Sequence, residues 1–71
     1  EREQDLDAVT ALSGSGPAYV FYLLEAMTEA GVHLGLGQAQ AHHLALATVA
    51  GAAELARRSA EPPQVLRQRV T

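Results

Sequence analysis

Two serines and two glycines stand directly before a proline in the segment Ser13-Gly14-Ser15-Gly16-Pro17. Serine hydroxyls can act as nucleophiles, and the backbone N–H groups at a helix N-terminus can hold an anion. Glycine allows sharp turns, and proline fits the first turn of a helix. The pattern therefore predicts a turn over 13–16 that opens a helix at Pro17. Such a turn either presents N–H groups and hydroxyls to an anionic ligand or packs closely against a neighbouring backbone.

Neither serine has a neighbouring histidine or lysine that would activate it as a nucleophile. The Gly-x-Gly also differs from the dinucleotide-binding fingerprint, which follows a strand and continues to a third glycine. The segment by itself therefore assigns no catalytic residue and no cofactor-binding residue.

The other candidate chemical groups are three histidines and two glutamates. His42 and His43 are adjacent and would point about 100° apart on a helix, while His33 falls in a predicted loop. A zinc site needs several ligand side chains that point toward one ion. These three histidines do not meet that requirement, so no metal site is predicted. Glu25 and Glu29 lie four residues apart, which is typical of a solvated stripe of like charge on a helix.

The elements that would position these groups are all helices. Asp5 is a candidate N-cap for a first helix that ends near Leu12. Gly31 is a candidate stop for the helix that opens at Pro17 and ends near Ala30. The remaining predicted helices cover Gln38–Arg58 and, after a start at Pro63, Gln64–Arg69. The predicted fold class is all-α, a small helical bundle.

The longest predicted helix carries small residues on one face, Ala41, Ala45, Thr48 and Ala52. Small side chains bury little surface unless another helix approaches closely. Gly51 costs about 1 kcal/mol relative to alanine inside a helix, which calls for a packing reason. We therefore expect a helix of the same or another subunit to cross near Gly51.

Composition limits the classes of function. The 71 residues are 48% hydrophobic and 18% charged, and they include no cysteine. So small a domain buries a limited core, and this much apolar surface predicts a partner, most simply a second copy of the chain. A net charge of −3 without a basic cluster argues against nucleic-acid binding. We expect no membrane span, a cytoplasmic location, and a chain that is a piece of a longer protein.

The run Asp7-Ala8-Val9-Thr10-Ala11-Leu12-Ser13-Gly14-Ser15-Gly16-Pro17-Ala18-Tyr19 resembles the signature of pyrroline-5-carboxylate reductases. The resemblance extends, in order, over almost the whole chain. It continues through Glu25-Ala26, Glu29-Ala30-Gly31-Val32, Leu34-Gly35-Leu36, Thr48-Val49-Ala50-Gly51-Ala52-Ala53, Leu66 and Val70-Thr71.

The resemblance implies an enzyme that reduces 1-pyrroline-5-carboxylate to L-proline with NADPH or NADH, the last step of proline biosynthesis. It implies that residues 1–71 are part of a C-terminal helical domain, of the 6-phosphogluconate-dehydrogenase C-terminal type, which interleaves with its mate in a homodimer and in some members in larger assemblies. A Rossmann domain would precede it, and a Ser-Pro-Gly-Gly-Thr loop that holds the substrate carboxylate would follow Thr71. The isolated piece is then expected to be inactive and to bind no cofactor.

Thr10 and Ser15 match family positions that line the substrate or nicotinamide region, so the resemblance implies a substrate-binding role for both. The chain departs from the family at Glu61-Pro62-Pro63, where Glu-His-Pro is common, and at Arg67-Gln68, where Lys-Asp is usual. These departures put in doubt any acid–base or ion-pair role there. Two alternatives remain: a stand-alone helical oligomerisation module without enzymatic activity, and a relative of the hydroxy-acid dehydrogenases, against which the Gly-Ser-Gly-Pro-Ala-Tyr run argues.

Overall fold

The computed structural model describes residues 3–71, with side chains from residue 8 onward, and it contains three helices. They are α1 (Glu3–His33), α2 (Gln38–Arg58) and α3 (Pro63–Val70). No strand is present within this described part of the chain, so the all-α prediction is confirmed. The interleaving of two such domains stays a prediction.

Helix α1 continues without interruption through residues 13–16, so the predicted turn is wrong. Pro17 lies inside the helix, and Gly14 and Gly16 do not take positive φ angles. Glycine permits a turn without requiring one, and the helix formers on both sides outweigh the local cost of glycine and proline. The predicted N-cap is also wrong, because Asp5 lies within the helical backbone.

The C-terminal end of α1 lies three residues beyond the predicted end at Ala30. Gly35 has a φ of 108°, a left-handed conformation that terminates helices. Its N–H donates to the carbonyl of Val32 at 3.0 Å, and the N–H of Leu36 donates to the carbonyl of Gly31 at 3.0 Å. This pair of hydrogen bonds defines a Schellman motif, and it assigns the stop signal to Gly35 instead of Gly31.

The predicted bounds of α2 are confirmed at both ends. Two arginines occupy its last turn, where their charge offsets the helix dipole. Glu54 also accepts a hydrogen bond from Arg57 at 2.7 Å, and this bond raises the pKa of the Arg57 guanidinium. Helix α3 begins at Pro63, as predicted, and continues one residue beyond the predicted end at Arg69.

The contact between α1 and α2 is made of small residues. Ala41 and Ala45 are the only buried hydrophobic residues of the described chain, at 2% and 3% exposure. A Cβ placed on Gly31 would lie 2.9 Å from the Cβ of Ala41, which is closer than real Cβ contacts. Gly31 therefore allows the two helix backbones to approach at the base of the α1–α2 hairpin.

The chain is elongated and exposes an unusually large surface. Its extents are 50 × 25 × 16 Å and its radius of gyration is 15.3 Å, against roughly 11 Å for a compact domain of this length. Its accessible surface is 5994 Å², whereas a compact monomer of 7.5 kDa exposes roughly 4,200 Å². The fold alone therefore leaves about 1,700 Å² that a self-contained domain would bury.

Candidate functional site

A long exposed surface is formed by the N-terminal part of α1, residues 8–24, which we call the apolar arm. It contains no charged residue, and none of its residues is buried against the rest of the chain. Its large exposed side chains are Val9, Leu12, Tyr19, Val20, Phe21, Tyr22 and Leu23, with exposures between 41% and 78%. A continuous uncharged helix surface of this length is typical of a surface that another protein chain covers.

Ser15 and Thr10 both lie on the apolar arm, and both are exposed. They are five residues apart, which places them about 140° apart around the helix. Ser15 lines a shallow concavity of about 510 Å³ with Leu12, Gly16 and Tyr19, and Thr10 does not line it. Within one chain the structure therefore does not bring the two predicted substrate-binding residues together.

The hydroxyl of Ser15 differs from that of its neighbour Ser13. Ser13 donates a hydrogen bond to the carbonyl of Val9 at 2.7 Å, one turn earlier in the helix. The hydrogen bonds among the described residues include no equivalent bond from Ser15. Ser15 thus keeps a donor available to a ligand or a partner chain, while the donor of Ser13 is used locally.

A second depression, of about 430 Å³, lies between α1 and α2. Phe21, Glu25, Glu29 and His42 are among its lining residues, so the predicted glutamate stripe faces a groove between two helices. The rings of His42 and His43 are 6.4 Å apart, and His33 lies in the last turn of α1 instead of a loop. Among the described residues, no group of three histidine, aspartate or glutamate side chains is placed to hold a metal ion.

Gly51 is the α2 residue near which another helix is predicted to cross, but in the single chain nothing packs against it. A Cβ placed on Gly51 would find nothing within 4 Å, so α1 does not cross α2 there. Leu55, on the same helix, is 53% exposed. None of the described helices therefore makes the predicted crossing near Gly51, and the crossing by a helix of the same or another subunit stays a prediction.

Sequence reasoning missed one ion pair at the end of the chain, between Glu61 and Arg69. Arg69 donates to Oε2 of Glu61 at 2.7 Å, and its second terminal nitrogen contacts Oε1 of the same carboxylate. Glu61 and Arg69 are eight residues apart in the sequence, and the first turns of α3 lie between them. The i, i+4 rule for helix pairs does not cover this separation. No sequence pattern in the chain indicated it.

Comparisons with known proteins agree with this architecture. Residues 3–71 match the family model described as pyrroline-5-carboxylate reductase dimerisation. The chain belongs to this family. It is 55% identical over 69 residues to pyrroline-5-carboxylate reductase of Pseudomonas aeruginosa and 51% identical over 69 residues to that of Corynebacterium melassecola, with 97% of the chain covered in each case. The chain spans only about a quarter of these curated relatives, 25% and 26% of their length.

A solved structure supports the family assignment in three dimensions. The crystal structure of Plasmodium falciparum pyrroline carboxylate reductase with NADP bound superposes on the whole chain with a TM-score of 0.89 and 38% identity. The match covers 29% of that protein. The pyrroline-5-carboxylate reductase dimerisation fold is therefore present here as three helices. Separately, none of the described helices is long and apolar enough to cross a bilayer.

Proposed function

We propose that this chain is the dimerisation part of a pyrroline-5-carboxylate reductase and that the apolar arm is the main surface through which two copies join. The observation that carries the proposal is the arm itself: residues 8–24 carry no charge, none of them is buried, and seven large apolar side chains among them are exposed in the single chain. The family description, which names dimerisation, supports the same role.

The size of the exposed surface fits this proposal. The excess of about 1,700 Å² over a compact monomer lies within the area that one partner contributes to an obligate dimer, roughly 1,000–2,500 Å². Obligate interfaces of this kind are more apolar than transient ones, which agrees with the absence of charge on the arm. A second copy can cover the arm with the same surface, because a twofold interface is self-complementary.

The activity proposed for the whole protein is reduction of 1-pyrroline-5-carboxylate to L-proline. A hydride from NADPH or NADH adds to the carbon of the cyclic C=N bond, and the ring nitrogen takes up a proton. The cofactor supplies the hydride, and the protein supplies binding, orientation and electrostatics. The relatives named as reductases, and the NADP in the Plasmodium falciparum structure, support this activity.

Within that activity, we assign Ser15 and Thr10 to the substrate region and leave the catalytic residue unassigned. The available hydroxyl of Ser15, in a concavity of the apolar arm, supports the assignment. Because Thr10 lies on another face of the helix, both residues reach one substrate only if the partner chain or another domain completes the site. A cytoplasmic location is part of the same proposal, as expected for an amino-acid biosynthetic enzyme.

The test is a proline-formation assay on the full-length protein that carries this chain, with Ser15→Ala compared with Ser13→Ala. A hydrogen bond to a charged group is worth about 1.5–3 kcal/mol, so Ser15→Ala should lower kcat/KM at least tenfold if Ser15 donates to a charged group of the substrate or the cofactor. Ser13→Ala should stay within about twofold of wild type, because its hydroxyl bonds to Val9. Equal values for the two variants would remove Ser15 from the site, and absence of proline formation by wild type would reject the reductase activity.

The alternative of a stand-alone oligomerisation module predicts the same dimer without proline formation. The relatives favour the reductase, since the two curated relatives described above carry that name and are about four times as long as this chain. The same assay on the full-length protein separates the two functions.

A further inference from the structure

Four exposed apolar side chains of the apolar arm are spaced symmetrically around Gly16. Val9 and Leu12 lie seven and four residues before it, and Val20 and Leu23 lie four and seven residues after it. At about 100° per residue, all four lie within about 40° of Gly16 around the helix. Each is at least 41% exposed in the single chain. These five positions form one line along the helix, which we call the symmetric stripe.

This symmetry is what an antiparallel contact between two identical helices requires. When a twofold axis relates such a pair, a residue before the crossing point faces the residue equally far after it, and each contact occurs twice. A crossing at Gly16 therefore places Leu12 against Val20 of the partner subunit, and Val9 against Leu23 of the partner subunit. Every large side chain of the stripe then meets an apolar side chain. A parallel pair would place each residue against its own copy and would not need symmetric spacing.

Gly16 makes a notch at the centre of the symmetric stripe. A Cβ placed there would find nothing within 4 Å in the single chain. Glycine inside a helix costs about 1 kcal/mol relative to alanine, and no contact among the described residues explains that cost here. A glycine between larger neighbours lets a second backbone approach closely, so that the side chains on both sides can pack around the crossing. The notch therefore suits a second helix that crosses at this residue.

The surface of the chain favours a second copy as the molecule that supplies this helix. The chain exposes about 1,700 Å² more than a compact monomer of its size, and one subunit of an obligate dimer buries a surface of that order. The apolar arm carries no charge, so two arms meet without repulsion between like charges. An identical arm also brings the same notch and the same flanking side chains to the contact.

From this pattern we propose that the apolar arms of two copies cross antiparallel at Gly16, with their symmetric stripes packed against each other. The crossing point and the direction go beyond the proposed function, on which they rest through the role of the arm in joining two copies. The crossing also bears on the concavity beside Ser15, because Leu12 and Gly16 belong both to its lining and to the stripe. The second arm then forms one wall of that concavity, which a single chain leaves open.

The test is disulfide formation in the full-length protein with Gly16→Cys under mild oxidation. A disulfide requires Cα atoms within about 7 Å of each other, and a crossing at Gly16 brings the two copies of this position that close. We expect a covalent dimer whose link joins position 16 of both copies, as identified by peptide mapping. Gly14→Cys is the matched control, since Gly14 is equally open in the single chain but lies about 200° around the helix. Its yield of covalent dimer should be at least about tenfold lower.

A dimeric protein in which Gly16→Cys forms no such link, or in which Gly14→Cys links equally well, would overturn the inference. If Gly16→Cys fails to fold, the double variant Leu12→Cys/Val20→Cys, which keeps the glycine, decides the question with a short bis-maleimide. The expected covalent dimer joins position 12 of one copy to position 20 of the other, whereas links only between equal positions would show parallel arms and contradict the proposal. A full-length protein that sediments as a monomer would instead reject the proposed dimer itself.

Discussion

The two parts of helix α1 have opposite surroundings. The base, residues 25–33, packs on α2, where Gly31 lies so close to Ala41 that a single added Cβ would collide. The apolar arm, residues 8–24, belongs to the same continuous helix and has no buried residue. One helix thus contributes both to a contact within the chain and to a surface that the described residues leave uncovered.

This difference shows how so small a chain can be part of a stable assembly without a core of its own. Among the residues whose burial is described, the contact within the chain fully buries only two alanines, which supply little hydrophobic free energy. The arm carries the aromatic and branched side chains, each worth about 1.5–3 kcal/mol when fully buried. Most of the stabilising burial therefore belongs to the assembly and not to the single chain.

The largest effect is expected from a charge placed on the apolar arm. Leu12→Asp would bury a carboxylate twice in a symmetric dimer, and an unpaired buried charge is strongly unfavourable. We expect the dimer dissociation constant to rise at least about 100-fold, as measured by sedimentation equilibrium over a concentration series.

Leu34→Asp is the matched control for this experiment, because Leu34 is also highly exposed but lies in the loop after α1. It should leave the dissociation constant within about threefold of wild type. If both aspartates weaken the dimer equally, the arm is not the main contact surface.

The next effect in size is expected at Gly51. Leucine there has space within the single chain and a better helix propensity, so it should stabilise an isolated chain slightly. If a helix of the partner crosses near Gly51, Gly51→Leu should instead weaken the dimer at least about tenfold. Ala53→Leu, about 200° further around the helix, serves as the control. Unchanged sedimentation and melting for Gly51→Leu would place the partner elsewhere.

The smallest effect is expected at the base of the hairpin. Gly31→Ala improves helix propensity but brings its Cβ to within 2.9 Å of the Cβ of Ala41. The collision should prevail and lower the free energy of unfolding by about 1–2 kcal/mol, measured by chemical denaturation at fixed protein concentration. Adding Ala41→Gly removes the colliding atom. The double variant should therefore lose less free energy of unfolding than the sum of the losses in the two single variants. Strict additivity would show that the approach of the two helices is not tight there.

The sequence allowed prediction of those elements whose ends carry strong local signals. Helix α2 was predicted at both ends, because Gly37 and the arginine pair mark them. Helix α3 was predicted within one residue from Pro62-Pro63. At residues 13–16 the prediction was wrong, because glycine and proline only lower the preference for helix and the helix on either side decided the outcome.

The candidate site was predictable only in part. Resemblance to the family selected Ser15 and Thr10, and the structure shows that they lie on different faces of one helix, which linear order does not reveal. The Glu61–Arg69 pair depends on the angle between a turn and the helix after it, so spacing alone could not predict it. The open surroundings of Gly51 likewise required coordinates, because an interior glycine indicates close packing without identifying the partner.

The most direct test of the central claim is sedimentation velocity of the 71-residue chain at micromolar concentration, combined with circular dichroism. If the apolar arm belongs to an interface between two copies, the chain should sediment as a helical dimer and lose helix as dilution dissociates it. A stably folded, fully helical monomer at those concentrations would contradict the account, because the surface exposed by the single chain would then need no partner.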